Sequence, residues 1–247
     1  MHLFVLLVVV LAASAHAARK PADPEPNPTK WSQIRGTGTQ ISARGEIIPV
    51  WIINKHKELL RRDFTNGGWA LEKDNVHHVG ASFDESAWIV LGNSWKVQRG
   101  RGGLWTTVED APKLRQIAGR SYYEAIGVDN NEDIYHFIEE KWRKLPGKAV
   151  YAAIGIDGAI WVINREQSIF HWDWARNDWD VVEGKAVNVD VYNTHRVIVS
   201  NKDHDMFTWT GSNWKKEDAK CVQASITSNN IFCIRKKGAV DNEIYRN

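Results

Sequence analysis

Trp174 is followed by Arg176, Asn177 and Asp178, and Trp209 by Ser212 and Asn213. An indole face packs on the apolar C–H face of a sugar, while nearby amide, guanidinium and hydroxyl groups bond its hydroxyls. Trp172, Trp174, Arg176, Asn177, Trp209 and Asn213 are therefore the candidate carbohydrate-binding residues.

Signatures of covalent chemistry are absent from the sequence. It holds no Gly-x-Ser-x-Gly elbow, no phosphate loop and no His-Glu-x-x-His zinc motif. The segment from Ile154 to Trp161 approaches the Ser-x-Asp-x-Gly-x-x-Trp box of sialidases, but Asp157 and Gly158 are adjacent and no Ser or Thr leads it. No acidic ligand loop repeats, so calcium is not implied. His136 and His171 stand at equivalent places in successive repeats, too far apart to share a metal, and His77-His78 reads as exposed strand. The expectation is binding without turnover, with no cofactor and no metal.

These residues need elements to hold them, and the sequence shows which. Trp31, Trp69, Trp105, Trp142, Trp179 and Trp214 form a ladder with steps of 35 to 38 residues. Trp51-Ile52-Ile53-Asn54-Lys55 matches Trp161-Val162-Ile163-Asn164-Arg165 without a gap. A second motif follows in each repeat: Leu59-Leu60, Ser94-Trp95, Ile134-Tyr135, Ile169-Phe170, Met206-Phe207 and Ile244-Tyr245. Two positions beyond it stand Val97, Phe137, Trp172 and Trp209, on the same face of a strand. Turn pairs such as Asp157-Gly158 and Asn229-Asn230 separate the runs. His56 to Arg62 would pass for a helix by itself, but the match to the fourth repeat makes it loop and strand.

Each repeat is thus a small antiparallel sheet that cannot bury both faces alone. Stacking such sheets radially gives each one two neighbours. The spacing predicts an all-β, six-bladed β-propeller. The last repeat ends where another ladder Trp is due, and Trp31-Ser32-Gln33-Ile34 supplies that missing piece. The N-terminal strand is expected to close the last blade. The six ladder tryptophans, with Trp51, Trp88 and Trp161, are expected to be framework.

The repeat resembles the tectonin repeat of tachylectin-1-like and fish-egg lectins. The resemblance rests on Trp142-Arg143-Lys144-Leu145-Pro146-Gly147 and Trp179-Asp180-Val181-Val182-Glu183-Gly184, each followed by strands, an apolar triplet with Asn or Asp, and an Ile-Tyr equivalent. It covers residues 31–247. Leu91-Gly92, where other repeats carry Asn or Asp, and extra residues between Arg235 and Ile244 depart from it. It implies a lectin for surface glycans, including bacterial lipopolysaccharide, acting in innate defence through sites near the blade junctions. Arg61-Arg62, Arg99, Arg101, Lys215-Lys216 and Lys236-Lys237 are solvated surface, or contacts for lipopolysaccharide phosphates. The alternative is a protein-binding propeller scaffold, because this architecture serves many functions.

The rest of the composition fits an extracellular setting. Leu3 to Ala13 is apolar, too short to span a bilayer, and precedes the small-x-small pattern Ala15-His16-Ala17. Residues 1–17 are expected to be a signal peptide, 18–30 a proline-rich arm, and 31–247 the propeller domain, so the protein is expected to be secreted without membrane insertion. A net charge of +2 is too mild for nucleic acid. Cys221 and Cys233 lie 12 positions apart in one repeat and are candidates for a disulfide.

Overall fold

The computed structural model describes residues 31–44, 49–237 and 241–247. The expected signal peptide and proline-rich arm, residues 1–30, lie outside them. Every element among the described residues is a strand, and the strands form six four-stranded antiparallel sheets. Blades one to five are continuous stretches of chain: residues 40–73, 76–107, 114–145, 151–185 and 188–220. Blade six joins residues 223–246 to the N-terminal strand Ser32–Thr37, which pairs with Asp241–Arg246 as the outermost strand. The sixth blade is thus closed by the other end of the chain.

In each blade the first strand lies at the axis and the fourth at the periphery. The first strands of neighbouring blades touch in sequence around the ring, back to the start. Each ladder Trp opens or lies within an outermost strand, or in the case of Trp31 immediately precedes one. The sequence repeat is therefore one strand out of phase with the blade. His56–Arg62 forms a turn and the strand Leu59–Arg62. One detail differs from the periodic reading. Ser94-Trp95 is not strand: Trp95 sits in a turn with φ 57°, like Lys57, Glu132, Gln167 and His204. Each of these five stands two residues before a buried residue of the third strand: Leu59, Val97, Ile134, Ile169 and Met206. In blade two the motif is Val97-Gln98, displaced because the second strand ends at Leu91-Gly92 instead of at an Asn or Asp. Elsewhere that Asn or Asp caps the turn: Asn54, Asp129, Asn164 and Asn201 all accept backbone N–H bonds on Oδ1.

The axis is the structurally demanding place. A first strand has one edge paired within its blade and one edge facing the next blade, where backbone groups still need partners. Side-chain amides supply them. Gln40 accepts the Val79 N–H at 3.0 Å and donates to the Val79 carbonyl at 2.8 Å. Gln116 does the same to Ala152, at 3.1 and 2.8 Å. Gln223 accepts from Ile41 N–H at 3.0 Å, bridging blade six to blade one. Ser42 and Ser225 repeat the device two residues on, toward Ala81 and Ala43. Where the strands approach most closely only glycine fits: a Cβ on Gly80 would lie 2.7 Å from the Ala118 Cα. The ion pair of Arg44 with Asp190, at 2.5 Å and almost fully buried, ties blade one to blade five across the axis. Asp190 also accepts from Ser225 Oγ and Ile226 N–H. Cys221, in the link between blades five and six, and Cys233 of blade six form a disulfide, with Cα atoms 5.5 Å apart.

The axial position of blade two carries His78 in place of Gln. Its ring meets Gln40 Nε2 and accepts from Ile117 N–H. Burial, with His77 adding to it, pushes the His78 pKa from 6.5 down to about 3. The folded state resists protonation that the unfolded chain accepts. Stability is therefore full above pH 6.5 and is lost as the pH falls toward 3, by up to about 1.4 kcal/mol per pH unit. His78→Gln, which installs the residue used by three other blades, is expected to flatten that slope by up to one proton in urea titrations across this range. Gly80→Ala is expected to destabilise by about 1–3 kcal/mol, because backbone is what it strikes.

Candidate functional site

In a four-stranded meander the turns joining strands two and three share one face with the crossings between blades. The turns joining strands one and two, and three and four, share the other. The clefts of the propeller open on the first of these faces.

Two clefts have the same construction. Between blades three and four, a cleft of about 460 Å³ is lined by Ile134, Gly147 and Lys148 on one side and by Val162, Asn164, Phe170 and Trp179 on the other, with Glu132, Arg165 and Glu166 at its rim. Between blades four and five, a cleft of about 260 Å³ is lined by Ile169, Gly184 and Lys185 and by Val199, Asn201, Phe207 and Trp214. Every residue of the second cleft is the repeat equivalent of one in the first. These sizes are close to the range of about 300–1,000 Å³ typical of small-ligand pockets.

A bond between blades positions the indole in each cleft. Trp179 Nε1 donates to the Pro146 carbonyl at 2.8 Å, and Trp214 Nε1 to the Glu183 carbonyl at 2.7 Å. The next residue is glycine in both cases, Gly147 at φ 86° and Gly184 at φ 121°. A Cβ on either would approach the indole nitrogen to 3.3 Å. Trp69 makes the same bond to Arg35, beside Gly36, at 2.6 Å. That junction has Leu60 in place of the Phe and Thr37 in place of the Lys. Where the glycine position holds Asp74 or Asp110, the next blade's indoles, Trp105 and Trp142, are buried at Nε1 without a partner among the described residues.

The polar groups around each cleft are oriented by the turns. Asn164 Oδ1 accepts from Ser168 N–H, and Asn201 Oδ1 from Asp203 and Asp205 N–H. Lys148 Nζ bonds the Asn131 carbonyl and Asp133, and Lys185 Nζ bonds the Glu166 carbonyl and Ser168 Oγ. An aromatic wall, an amide and an ammonium thus face one concave space. This arrangement can hold a small polyhydroxylated ligand; among the described residues no group of three His, Cys, Asp or Glu could hold a metal ion.

The residues singled out by sequence lie elsewhere. Trp172 is 2% exposed and is the cross-strand partner of Trp179, with ring centroids 4.8 Å apart. Trp209 faces Trp214 in the same way, at 5.0 Å. Phe137 and Trp142 repeat the pair in blade three, at 5.0 Å. Trp172 is therefore framework, buried by the packing that holds the ladder indole, and is out of a ligand's reach. Trp209 serves the same pairing from a partly buried place. Trp174, Arg176, Asn177 and Asn213 occupy turns between third and fourth strands, on the opposite face from the clefts. Trp174 is 50% exposed and donates to the Gly158 carbonyl at 3.2 Å. It lies beside His136, which bonds the buried Glu124 at 3.0 Å. Burial pushes the Glu124 pKa up, but bonds to His136 and Arg120 outweigh it and hold the carboxyl below its ordinary value. Arg176 is held by Asp173 and Asp180, Asn177 takes φ 52° in its turn, and Asn213 bonds Thr210 and Ser212. Asn164 and Asn201, Lys148 and Lys185, and Phe170 and Phe207 were legible only as a shared period of 37 residues.

The clasp can be measured by comparing two equivalent tryptophans. Trp214→Phe loses a formed hydrogen bond, whereas Trp142→Phe removes a buried donor without one. Both make the same change in size. Trp214→Phe is expected to cost at least about 1 kcal/mol more than Trp142→Phe in urea denaturation.

Comparison with known proteins supports the architecture. Residues 113–195 match the Tectonin domain family. No curated protein matches the chain. Among solved structures, a protein of a mitotic checkpoint complex is 13% identical, with TM-score 0.60, over 98% of this chain and 99% of that one. A streptogramin B lyase is 10% identical, with TM-score 0.58, over 88% and 97%. Virginiamycin B lyase from Staphylococcus aureus is 14% identical, with TM-score 0.55, over 83% and 80%. At such identities the likeness is one of fold alone. A Tectonin match over residues 113–195, within a closed ring of six four-stranded blades, supports a tectonin-repeat β-propeller.

Proposed function

We propose that the protein is a secreted lectin that binds surface glycans in the clefts between blades three and four and between blades four and five, in innate defence. The observation that carries this reading is the duplication of one binding arrangement: an indole held by its nitrogen, a Phe, an Asn and a Lys around a concave space, twice in register. An indole whose N–H is already bonded to backbone still offers its π face to sugar C–H groups. With its Oδ1 occupied, each Asn has a free Nδ2 donor among the described residues for a hydroxyl. Two weak sites on a rigid ring gain strength against a surface that presents many copies of one sugar. Bacterial lipopolysaccharide is the ligand class that the family resemblance suggests. Secretion is supported by the disulfide, which persists in oxidising compartments, and by the apolar stretch ahead of Ala15-His16-Ala17.

The reading assigns no reaction to the clefts. A second reading, a scaffold for a protein partner, is favoured by Tyr123, Ile156 and Trp174, which are exposed on the opposite face.

A glycan array that includes lipopolysaccharides, probed with residues 18–247, tests the proposal. Binding to a related set of glycans, competed by the free sugar and weakened at least tenfold by Phe170→Ala with Phe207→Ala, is the expected result. Silence from folded protein, or binding lost through Trp174→Ala but not through the Phe pair, would reject the cleft assignment. A chemically altered sugar recovered from the incubation would replace the lectin reading with an enzyme.

A further inference from the structure

The two clefts share their shape but not their charge. In the cleft between blades three and four both cations are answered. Arg165 pairs with Glu132, and Lys148 with Asp133 at 2.6 Å. Glu166 adds a third carboxylate at the rim. In the cleft between blades four and five the lining keeps one cation, Lys185, and its partner is neutral: Ser168 stands for Asp133. Lys202 and Gln167, which stand for Arg165 and Glu132, lie outside the lining. Lys185 Nζ is held at 2.9 Å by the Glu166 carbonyl and at 2.9 Å by Ser168 Oγ, neither of which carries a charge. Lys202 has no ion pair among the described residues. The remaining acid of that turn, Asp203, is not part of the cleft lining, and neither is Glu183. Glu183 gives its carbonyl to Trp214, and strand alternation from Val182, which packs between blades four and five, turns its carboxylate the other way.

Two lining cations faced by Glu132, Glu166 and the adjoining Asp133 become one lining cation with no lining carboxylate, in a cleft with the same apolar walls. A substituted anion gains most where an ammonium is already oriented and lacks a counter-charge. We infer that the cleft between blades four and five is an oxyanion subsite, selecting a glycan residue that bears a carboxylate, phosphate or sulfate, while the cleft between blades three and four takes a neutral sugar. The inference rests on the glycan reading of the clefts and adds a division of labour between them. Lys185 binds the anion, Trp214 and Phe207 carry the ring, and Ser168 with the Glu166 carbonyl positions the ammonium.

The test separates this inference from the glycan reading by using inorganic phosphate as probe. The indole N–H signals of Trp179 and Trp214, assigned through their Phe variants, are followed by NMR at constant ionic strength. Phosphate is expected to move the Trp214 signal and to leave Trp179 at least tenfold less sensitive. Gln167→Glu with Ser168→Asp, which copies the acids of the neighbouring cleft, is expected to weaken the Trp214 response about tenfold. Glu132 occupies the same φ 67° turn position that Gln167 occupies at φ 65°, so this variant should fold. The reverse pair, Glu132→Gln with Asp133→Ser, is expected to create a response at Trp179. Equal responses at both indoles, no response at either, or a Trp214 response unaffected by the paired acids would each overturn the inference. On the array, loss of phosphorylated, sulfated or uronic-acid glycans but not neutral ones in the Gln167→Glu, Ser168→Asp protein supports it and names the source of the anion. A phosphate response without any glycan bound would keep the anion site and remove the lectin reading.

Discussion

Everything in this ring depends on how the free edge of each innermost strand is satisfied. Six strands meet around the axis, and each has one backbone edge that no strand of its own blade can pair. Amide side chains take the place of a neighbouring strand: Gln40 and Gln116 each offer a donor and an acceptor to one residue of the next blade. The spacing of those amides sets the angle between blades, and glycine at position 80 allows the approach. Gln223 accepts from Ile41 N–H across the seam between blades six and one, while its Nε2 donates to Tyr151. The packed aromatic layers between blades follow from that registration, because a sheet displaced by one residue would turn its buried face outward.

At the periphery the ladder tryptophans do two jobs with different parts of one side chain. The ring packs on a third-strand partner, Trp172 or Trp209 in blades four and five, and the nitrogen reaches back to the preceding blade. The second contact needs a residue without a side chain just after the accepting carbonyl. Three of the six fourth strands provide it, as Gly36, Gly147 and Gly184. Among the described residues, that glycine coincides with an aromatic, Phe170 or Phe207, and a Lys, 148 or 185, at the two clefts. Among the described residues a sixfold framework thus carries fewer than six such clefts, and the two copies differ in charge.

The periodic reading located the strands well and did not point to the clefts, for one reason. Periodicity marks positions that every blade must fill, so it reports packing. Trp172 and Trp209 looked like extra aromatics because they exceed what the ladder needs, yet they stand at the cross-strand position that Phe137 fills in blade three. Ser94-Trp95 was misplaced because blade two lacks the Asn or Asp that caps the turn in four other blades, which moved the strand to Val97. Trp174 was rightly distinguished from the ladder and lies exposed, but its turn belongs to the face away from the clefts.

By itself the sequence determined the number of blades, the strand pattern and the closing of the last blade by the first strand. Those properties rest on local β preference and on a spacing that repeats along the chain, and both are written in one dimension. The tertiary structure alone decided which residues face each other across a blade junction. Lys185 and Trp214 are 29 positions apart and come from different blades. Their meeting depends on the rotation between sheets, which the axial amides set and no local preference encodes. The charge of each cleft is likewise invisible in composition, since a net charge of +2 says nothing of which carboxylates stand beside which lysines.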